Sequence, residues 1–181
     1  LKPGNSCVVV GSGMIGIFII KLLKILGASI IIAVDIDEKK LLKAEKAGAD
    51  HTFIASAKDI SEKIRSVTSG RGADISYEAV GKNDSVNMAV DLVRRGGTVT
   101  LVGNTTPKVD LPLQRVVTGE LKILGSCAIC GEYDTILEYI KTGKLNVDDQ
   151  ISAVAPLSEG AHWFEKLYRM DEDLGKVILK P

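Results

Sequence analysis

The sequence has 181 residues, with 23 Lys and Arg side chains against 23 Asp and Glu, so its formal net charge is zero. Proteins that bind nucleic acid or membrane surfaces normally carry a basic excess, so this balance argues against both partners. Hydrophobic residues make up 45% of the chain and charged residues 25%, which is typical of a globular protein and excludes an intrinsically disordered one. Only 4% of the residues are aromatic, so we expect an aliphatic core of the kind found in parallel sheets covered by helices.

The chain begins with Leu1 instead of Met, and we expect it to be a piece of a longer protein. The longest uncharged stretch, residues 5–20, is shorter than the ~20 apolar residues of a membrane span, so no transmembrane helix is expected. The cysteines, Cys7, Cys127 and Cys130, lack the spacing of a disulfide framework. This favours a reducing compartment, and we expect a cytoplasmic location.

Hydrophobic periodicity alternates between short β-branched runs and longer amphipathic stretches. The strands predicted first cover residues 6–10, 29–34, 52–55, 74–78 and 98–102. The helices predicted between them cover residues 14–26, 38–47, 58–69 and 83–94. This alternation implies right-handed βαβ crossovers and an α/β fold with a doubly wound parallel sheet.

The rhythm changes after the fifth predicted strand. The sequence predicts a short helix after Pro112 and then, in order, a strand over residues 121–124, a helix over 132–141, a strand over 151–154, a helix over 158–170 and a strand over 176–179. We therefore expect residues 1–130 to form one domain and residues 131–181 to form a C-terminal α/β tail.

A glycine-rich turn is the strongest motif in the chain. Gly11, Gly13 and Gly16 form a G-x-G-x-x-G pattern between the first predicted strand and the first predicted helix. In such a turn the first glycine permits the tight bend, the second lets the backbone approach a pyrophosphate, and the third lets helix and strand pack closely. The start of the helix favours anions, so this turn predicts a dinucleotide site.

An acidic residue strengthens that prediction. Asp35 lies directly after the second predicted strand, about 20 residues beyond Gly13, where a carboxylate can accept hydrogen bonds from ribose hydroxyls. A 2′-phosphate at this place would be repelled by Asp35, and the following residues, Ile36, Asp37 and Glu38, offer no compensating arginine. The sequence therefore predicts NAD in preference to NADP.

With these residues the chain resembles the cofactor-binding half of the zinc-type, medium-chain alcohol dehydrogenases, in particular their polyol (sorbitol-like) and threonine dehydrogenase branches. The resemblance extends over essentially the whole chain and implies a Rossmann fold with strand order 3-2-1-4-5-6. Beyond the glycine-rich turn, the segments that carry it are residues 1–4, 34–37, 47–50, 72–74, 77–81, 96–99 and 175–179.

The resemblance also implies a set of coenzyme contacts. These are Gly11, Gly13, Met14, Ile15 and Gly16 at the pyrophosphate, Asp35 and Lys40 at the adenosine ribose, and Val80, Val102, Gly103 and Ser126 at the nicotinamide. Residues 121–125 resemble the edge strand through which such enzymes pair, which implies a homo-oligomer.

The function implied by the resemblance is hydride transfer between a secondary alcohol or polyol and NAD. Family members carry zinc in an N-terminal catalytic domain, and the zinc-ligand motifs of that domain are not found in this sequence. We therefore expect no catalytic or metal-binding residues here. The expected behaviour is NAD binding without catalysis, with residues 131–181 packing on the catalytic domain.

Two rival functions use similar motifs. An NAD-sensing regulatory module would share the glycine-rich turn and the acid without any chemistry. A methyltransferase also places an acid after its second strand, but it would bind S-adenosylmethionine instead of NAD.

Several single residues are open to more than one interpretation. Cys127 and Cys130 form a C-x-x-C pair that could bind a metal or act in redox chemistry, although two small thiols lining the coenzyme cleft fit the context better. His51 and His162 are expected to be structural or solvated. Glu78 ends the fourth predicted strand and is expected either to approach the cleft or to bond to the backbone.

Overall fold

The computed structural model describes residues 1–169 and 174–181. The strands of its first part are β1 (Ser6–Val10), β2 (Ile30–Asp35), β3 (His51–Ile54), β4 (Ala73–Glu78), β5 (Val93–Leu101) and β6 (Lys122–Gly125). The helices of this part are α1 (Met14–Ile25), α2 (Glu38–Ala47), α3 (Ile60–Val67), α4 (Asn83–Asp91) and α5 (Leu113–Thr118).

The six strands form one sheet in the order β3-β2-β1-β4-β5-β6. Every neighbouring pair is parallel. The predicted doubly wound sheet and its strand order 3-2-1-4-5-6 are therefore confirmed. Because the strands run in parallel, the residues that follow them gather at one edge of the sheet, which is where ligands bind in folds of this type.

The core lies on both faces of the sheet. Successive residues of β1 alternate between the faces, with Val9 packing among residues of α1 and α2 and Val8 packing among residues of α3 and α4. Both side chains are fully buried, and the residues around them are almost all aliphatic. This alternation holds β1 in the middle of the sheet, so its carboxyl end, where the glycine-rich turn begins, has a fixed position.

The fourth helix is shorter than predicted. The sequence predicts a helix over residues 83–94, but α4 ends at Asp91 and β5 begins at Val93. The amide of Ala73 donates to the carbonyl of Leu92 at 3.0 Å, and Ala73 pairs with Val93 across the sheet. The chain therefore leaves the helix early because its backbone groups find partners in β4.

The prediction of the fifth strand over residues 98–102 is wrong at its start for the same reason. Gly96 and Gly97 lie inside β5. A Cβ atom added at Gly97 would lie 2.8 Å from the carbonyl oxygen of Arg94 and 3.2 Å from that of Asp74. Glycine thus allows the close approach of β4 and β5 at a register shift between the strands.

Hydrogen bonds to the carboxylate of Asp74 join the amino ends of β1, β4 and β5. The Oδ2 atom of Asp74 accepts hydrogen bonds from the amide (2.8 Å) and hydroxyl (3.0 Å) of Ser6, and its Oδ1 accepts one from Nε of Arg94 at 2.6 Å. Burial alone would raise the pKa of Asp74, but the hydrogen bonds from Arg94 and Ser6 outweigh it and hold this pKa below its usual range. The carboxylate is thus stabilised in its charged form.

We expect acid to weaken the fold through Asp74. Because its pKa is lower in the folded chain, the stabilisation is fully present above the unfolded pKa of about 3.9 and is lost as the pH falls through the folded value. The Asp74→Asn variant should lose about 1–2 kcal/mol of unfolding free energy at about pH 7, since water partly screens Arg94. Urea unfolding at about pH 7 and pH 3 measures this, and a variant that matches the wild type at both would contradict the assignment.

The described part of the chain divides into two compact units, Leu1–Cys130 and Gly131–Pro181. The second contains α6 (Tyr133–Lys141), β7 (Ile151–Pro156), α7 (Gly160–Arg169) and β8 (Lys176–Lys180), with short 3-10 helices at Asp148–Gln150 and Leu157–Glu159. Its two strands pair in parallel. The helix predicted over residues 158–170 begins later, at Gly160, and Met170 lies outside the described residues. No helix among the described residues has the length and apolar character needed to cross a membrane.

Candidate functional site

The glycine-rich turn connects β1 to α1 at the carboxyl edge of the sheet. Gly11 has a φ of +95°, a conformation that favours glycine, and its amide donates to the carbonyl of Val34 at 2.8 Å. A Cβ atom at Gly16 would lie 1.9 Å from the carbonyl oxygen of Gly11. Both glycines are therefore required by the turn itself, whether or not a ligand is bound.

The middle glycine differs from its neighbours. Gly13 precedes α1 with a φ of −68°, which any residue can adopt, and its carbonyl accepts the amide of Ile17 at 2.9 Å. A Cβ atom added here would meet no heavy atom of the described residues within 4 Å. The fold does not need glycine at this position. The open space in front of the helix start is the place where a pyrophosphate would fit.

Asp35 is tied to the glycine-rich turn. Its Oδ2 accepts the amide of Ser12 at 2.6 Å, and its Oδ1 accepts the amide of Asp37 at 3.0 Å. The residue is 8% exposed. Each carboxylate oxygen has a second lone pair, so Asp35 can still accept hydrogen bonds from a ligand. The acid therefore shapes the turn and remains able to bind a hydroxyl group.

Two cavities flank this turn. The smaller, of about 390 Å³, is lined by residues that include Gly11, Asp35, Lys40, Val80 and Lys82. The larger, of about 700 Å³, is lined by residues that include Ile15, Gly81, Val102, Gly103 and Ser126. The smaller holds the side chains expected at a ribose, Asp35 and Lys40, together with Val80, which was expected at the nicotinamide. The larger holds the other residues expected at a nicotinamide. The geometry thus fits a dinucleotide that lies across the turn.

The structure brings most of the predicted contact residues to these two cavities. Of the others, Gly13 and Met14 lie at the start of α1, and Gly16 is buried. Ser126 is exposed, and its amide already donates to the carbonyl of Leu101 at 2.9 Å. Only the side chain and the main-chain carbonyl of Ser126 remain free to contact a ligand. The predicted contact with the nicotinamide is therefore limited to these two groups.

The sequence did not single out Lys82, which lines the smaller cavity, and it left the role of Glu78 open. Lys82 adds a second cation near Lys40, and its position directly after Gly81 at a strand end was the available signal. Glu78 proves to bond to the backbone. Its Oε1 accepts the amides of Val80 and Gly81, each at 2.8 Å.

The three cysteines differ in their surroundings. Burial and the nearby charge of Asp74 raise the pKa of the Cys7 thiol to about 12. Cys127 and Cys130 are exposed, but only Cys127 is among the residues that line the larger cavity. Among residues 1–169 and 174–181, no group of three or more His, Cys, Asp and Glu side chains is placed to hold a metal ion. The described residues therefore do not fit a zinc site.

The chain is similar in sequence to known dehydrogenases and reductases. The model of the zinc-binding dehydrogenase family matches residues 15–142. D-xylulose reductase A from Aspergillus niger is 33% identical over 172 residues, which cover 92% of this chain and 48% of that protein. A sorbitol dehydrogenase from Bacillus subtilis is 26% identical over 182 residues, which cover 100% of this chain and 52% of that protein.

The chain is also similar to a solved dehydrogenase structure. An alcohol dehydrogenase from Thermus sp. ATN1 superposes with a TM-score of 0.90 at 30% identity, over 99% of this chain and 52% of that one. The chain spans about half the length of the curated relatives that it matches. The family match itself covers more than half of the chain, including the glycine-rich turn from Ile15 onward and the ends of β2, β4 and β5. This chain therefore belongs to the zinc-binding dehydrogenase family.

Proposed function

We propose that the chain is the coenzyme-binding part of an oxidoreductase that transfers hydride between a secondary alcohol or polyol and NAD. The observation that carries this proposal is the pair of cavities on either side of a glycine-rich turn whose middle glycine the fold does not need. Family membership supports it, because the matched relatives are named as reductases and dehydrogenases of sugars, polyols or alcohols.

The residues of the chain bind and orient the coenzyme. Backbone amides at the start of α1 face the open space at Gly13 and donate to the pyrophosphate. Asp35 accepts the hydroxyls of the adenosine ribose, and Lys40 lies in the same cavity. Val102 and Gly103 form part of the wall against which the nicotinamide rests. The bound coenzyme supplies the acceptor for the hydride.

We propose a preference for NAD over NADP. The carboxylate of Asp35 lies where a 2′-phosphate would be placed, and both Asp37 and Glu38 follow it. Lys40 and Lys82 line the same cavity and would offset part of this repulsion. Because Asp35 is fixed by two backbone amides, it cannot turn away to make room for the phosphate.

The rest of the enzyme is proposed to lie outside this chain. The described residues do not fit a metal site. In the second unit, Phe164 and Tyr168 on α7 are 73% and 88% exposed. We propose that this apolar surface packs on the catalytic domain of the full-length protein. By itself, the chain is proposed to bind NAD and to have no dehydrogenase activity.

Strand β6 also carries an exposed apolar side chain. This strand lies at one end of the sheet, and Leu124 on it is exposed. An unpaired apolar edge is stabilised when a second strand pairs with it. We therefore propose that residues 121–125 join two copies of the chain in a homo-oligomer with a continuous sheet.

The family match favours a dehydrogenase over an NAD-sensing module without chemistry and over a methyltransferase. Thermal unfolding with NAD, NADP or S-adenosylmethionine at equal concentrations tests this proposal. A ligand at about 100 times its Kd stabilises the folded state by about 2.7 kcal/mol, so NAD should raise the Tm clearly. NADP should raise it less, and S-adenosylmethionine not at all. A Tm that responds to S-adenosylmethionine and not to NAD would contradict the proposal.

Thiol labelling gives a second, local test. At about pH 8, a thiol reagent should modify the exposed Cys127 and Cys130 and leave the buried Cys7 unmodified. NAD should slow the modification of Cys127, which lines the larger cavity. The Cys130→Ser variant reports on Cys127, and the Cys127→Ser variant serves as the matched control. Equal protection of both thiols, or protection of neither, would argue against a coenzyme in that cavity.

A further inference from the structure

The last residue of β4 connects two strand ends. Glu78 is 0% exposed, and its Oε1 accepts the amides of Val80 and Gly81, both at 2.8 Å. Its main-chain carbonyl accepts the amides of Val102 at 2.8 Å and Gly103 at 3.0 Å. One residue therefore holds the turn after β4 with its side chain and the chain after β5 with its backbone.

The turn of residues 79–81 is packed from two directions. A Cβ atom added at Gly11 would lie 2.5 Å from Cγ2 of Val80, so the glycine-rich turn touches it on one side. A Cβ atom added at Gly103 would lie 2.1 Å from the amide nitrogen of Gly81, so the chain after β5 touches it on the other. Any shift of this turn would therefore be passed to both neighbours.

The hydroxyl of Thr105 adds a further restraint. It donates to the carbonyl oxygens of Val80 and Gly81, each at 2.9 Å. Val80 lines the smaller cavity and Gly81 lines the larger one. The turn of residues 79–81 is thus a wall that the two cavities share. Its position sets the shape of both at the same time.

The second carboxylate oxygen of Glu78 points to a role beyond stability. Among the described residues, this buried Oε2 atom has no hydrogen-bond partner. A buried carboxylate with one unsatisfied oxygen costs free energy, and such costs are typical of positions kept for function. The side chain is held at this place through Oε1, the atom that accepts the two amides of the turn.

We propose that Glu78 is a positioning residue for the coenzyme, because its carboxylate holds the turn of residues 79–81 as the common wall of the two cavities. This inference rests on the proposed function, since it assumes that NAD occupies these cavities. A bound dinucleotide must fit both cavities at once. A loosened wall would therefore have to be ordered again during binding, which weakens affinity.

Two variants of Glu78 separate positioning from stability. Glu78→Gln keeps an acceptor for the two amides, whereas Glu78→Leu keeps only the approximate volume. Isothermal titration with NAD, at a temperature where unfolding curves show each variant to be folded, should give a Kd about tenfold higher for Glu78→Leu and a nearly unchanged Kd for Glu78→Gln. If Glu78 only stabilises the fold, both folded variants will bind NAD like the wild type, which would overturn the proposal.

A second pair keeps the test decisive if Glu78→Leu does not fold. Thr105→Val removes the hydroxyl that holds the same turn and keeps the shape of the side chain, and Thr105→Ser keeps the hydroxyl. The valine variant should raise the Kd for NAD by about threefold and the serine variant should not. Equal Kd values for both would overturn the proposal. A wild-type chain that does not bind NAD would instead refute the proposed function.

Discussion

Replacing Gly13 by alanine is expected to leave the fold intact and to remove most of the affinity for NAD. The added Cβ atom meets no heavy atom of the described residues within 4 Å, and the φ of −68° suits alanine. In the complex the same methyl group would occupy the space of the pyrophosphate. A forced overlap costs about 1–3 kcal/mol, which corresponds to a Kd raised by roughly one to two powers of ten.

Gly16→Ala is the matched comparison for this result. Its Cβ atom would lie 1.9 Å from the carbonyl oxygen of Gly11, a backbone atom that cannot move aside cheaply. This variant should lose at least about 1–3 kcal/mol of unfolding free energy as well as NAD affinity. Urea unfolding and calorimetric titration of both variants give the answer. A Gly13→Ala chain that binds NAD like the wild type would show that the pyrophosphate does not lie at this turn.

The Asp35→Ala variant is expected to lose both affinity and stability. A hydrogen bond to a charged acceptor contributes about 1.5–3 kcal/mol, so the loss of the ribose contact should raise the Kd for NAD by one to two powers of ten. The buried amide of Ser12 also loses its partner, at 2.6 Å in the wild type, which should cost about 1–3 kcal/mol of unfolding free energy.

The ratio of the Kd values for NAD and NADP distinguishes the loss of the ribose contact from a general loosening of the turn. Removing the carboxylate takes away the repulsion of a 2′-phosphate, so NADP should lose less affinity than NAD and the ratio of their Kd values should shift toward NADP. Loosening of the turn alone would weaken both coenzymes equally. Titration of the Asp35→Ala chain with each coenzyme separates the cases, and an unchanged ratio would show that Asp35 does not face the ribose.

Much of the fold could be predicted from short-range patterns. The alternation of β-branched runs with amphipathic stretches reports burial on both faces of a parallel sheet, and the strand order was confirmed. The end of α4 could not be predicted this way. Residues 92–94 continue the helical pattern, but the amide of Ala73 and the carboxylate of Asp74 bind them into the sheet. Such partners lie far away in the sequence and leave no local signal.

The candidate site, too, could be predicted only in part from the sequence. The glycines and Asp35 were predictable because their spacing belongs to a known turn, and the structure places them together at one edge of the sheet. The hydrogen bond from the amide of Ser12 to the carboxylate of Asp35 was not predictable, because a carboxylate that binds ribose hydroxyls needs no hydrogen bond to the glycine-rich turn. The sequence left the role of Glu78 open and did not single out Thr105, because their hydrogen bonds to the backbone of residues 80 and 81 exist only in the folded chain.

By our proposal, this chain binds NAD across its glycine-rich turn and has no dehydrogenase activity by itself. Isothermal titration of the isolated chain with NAD tests it most directly, with an assay of alcohol and polyol oxidation on the same sample. We expect saturable binding at one site per chain and no turnover with or without added zinc. An absence of NAD binding, or zinc-dependent oxidation of an alcohol by this chain alone, would contradict the account.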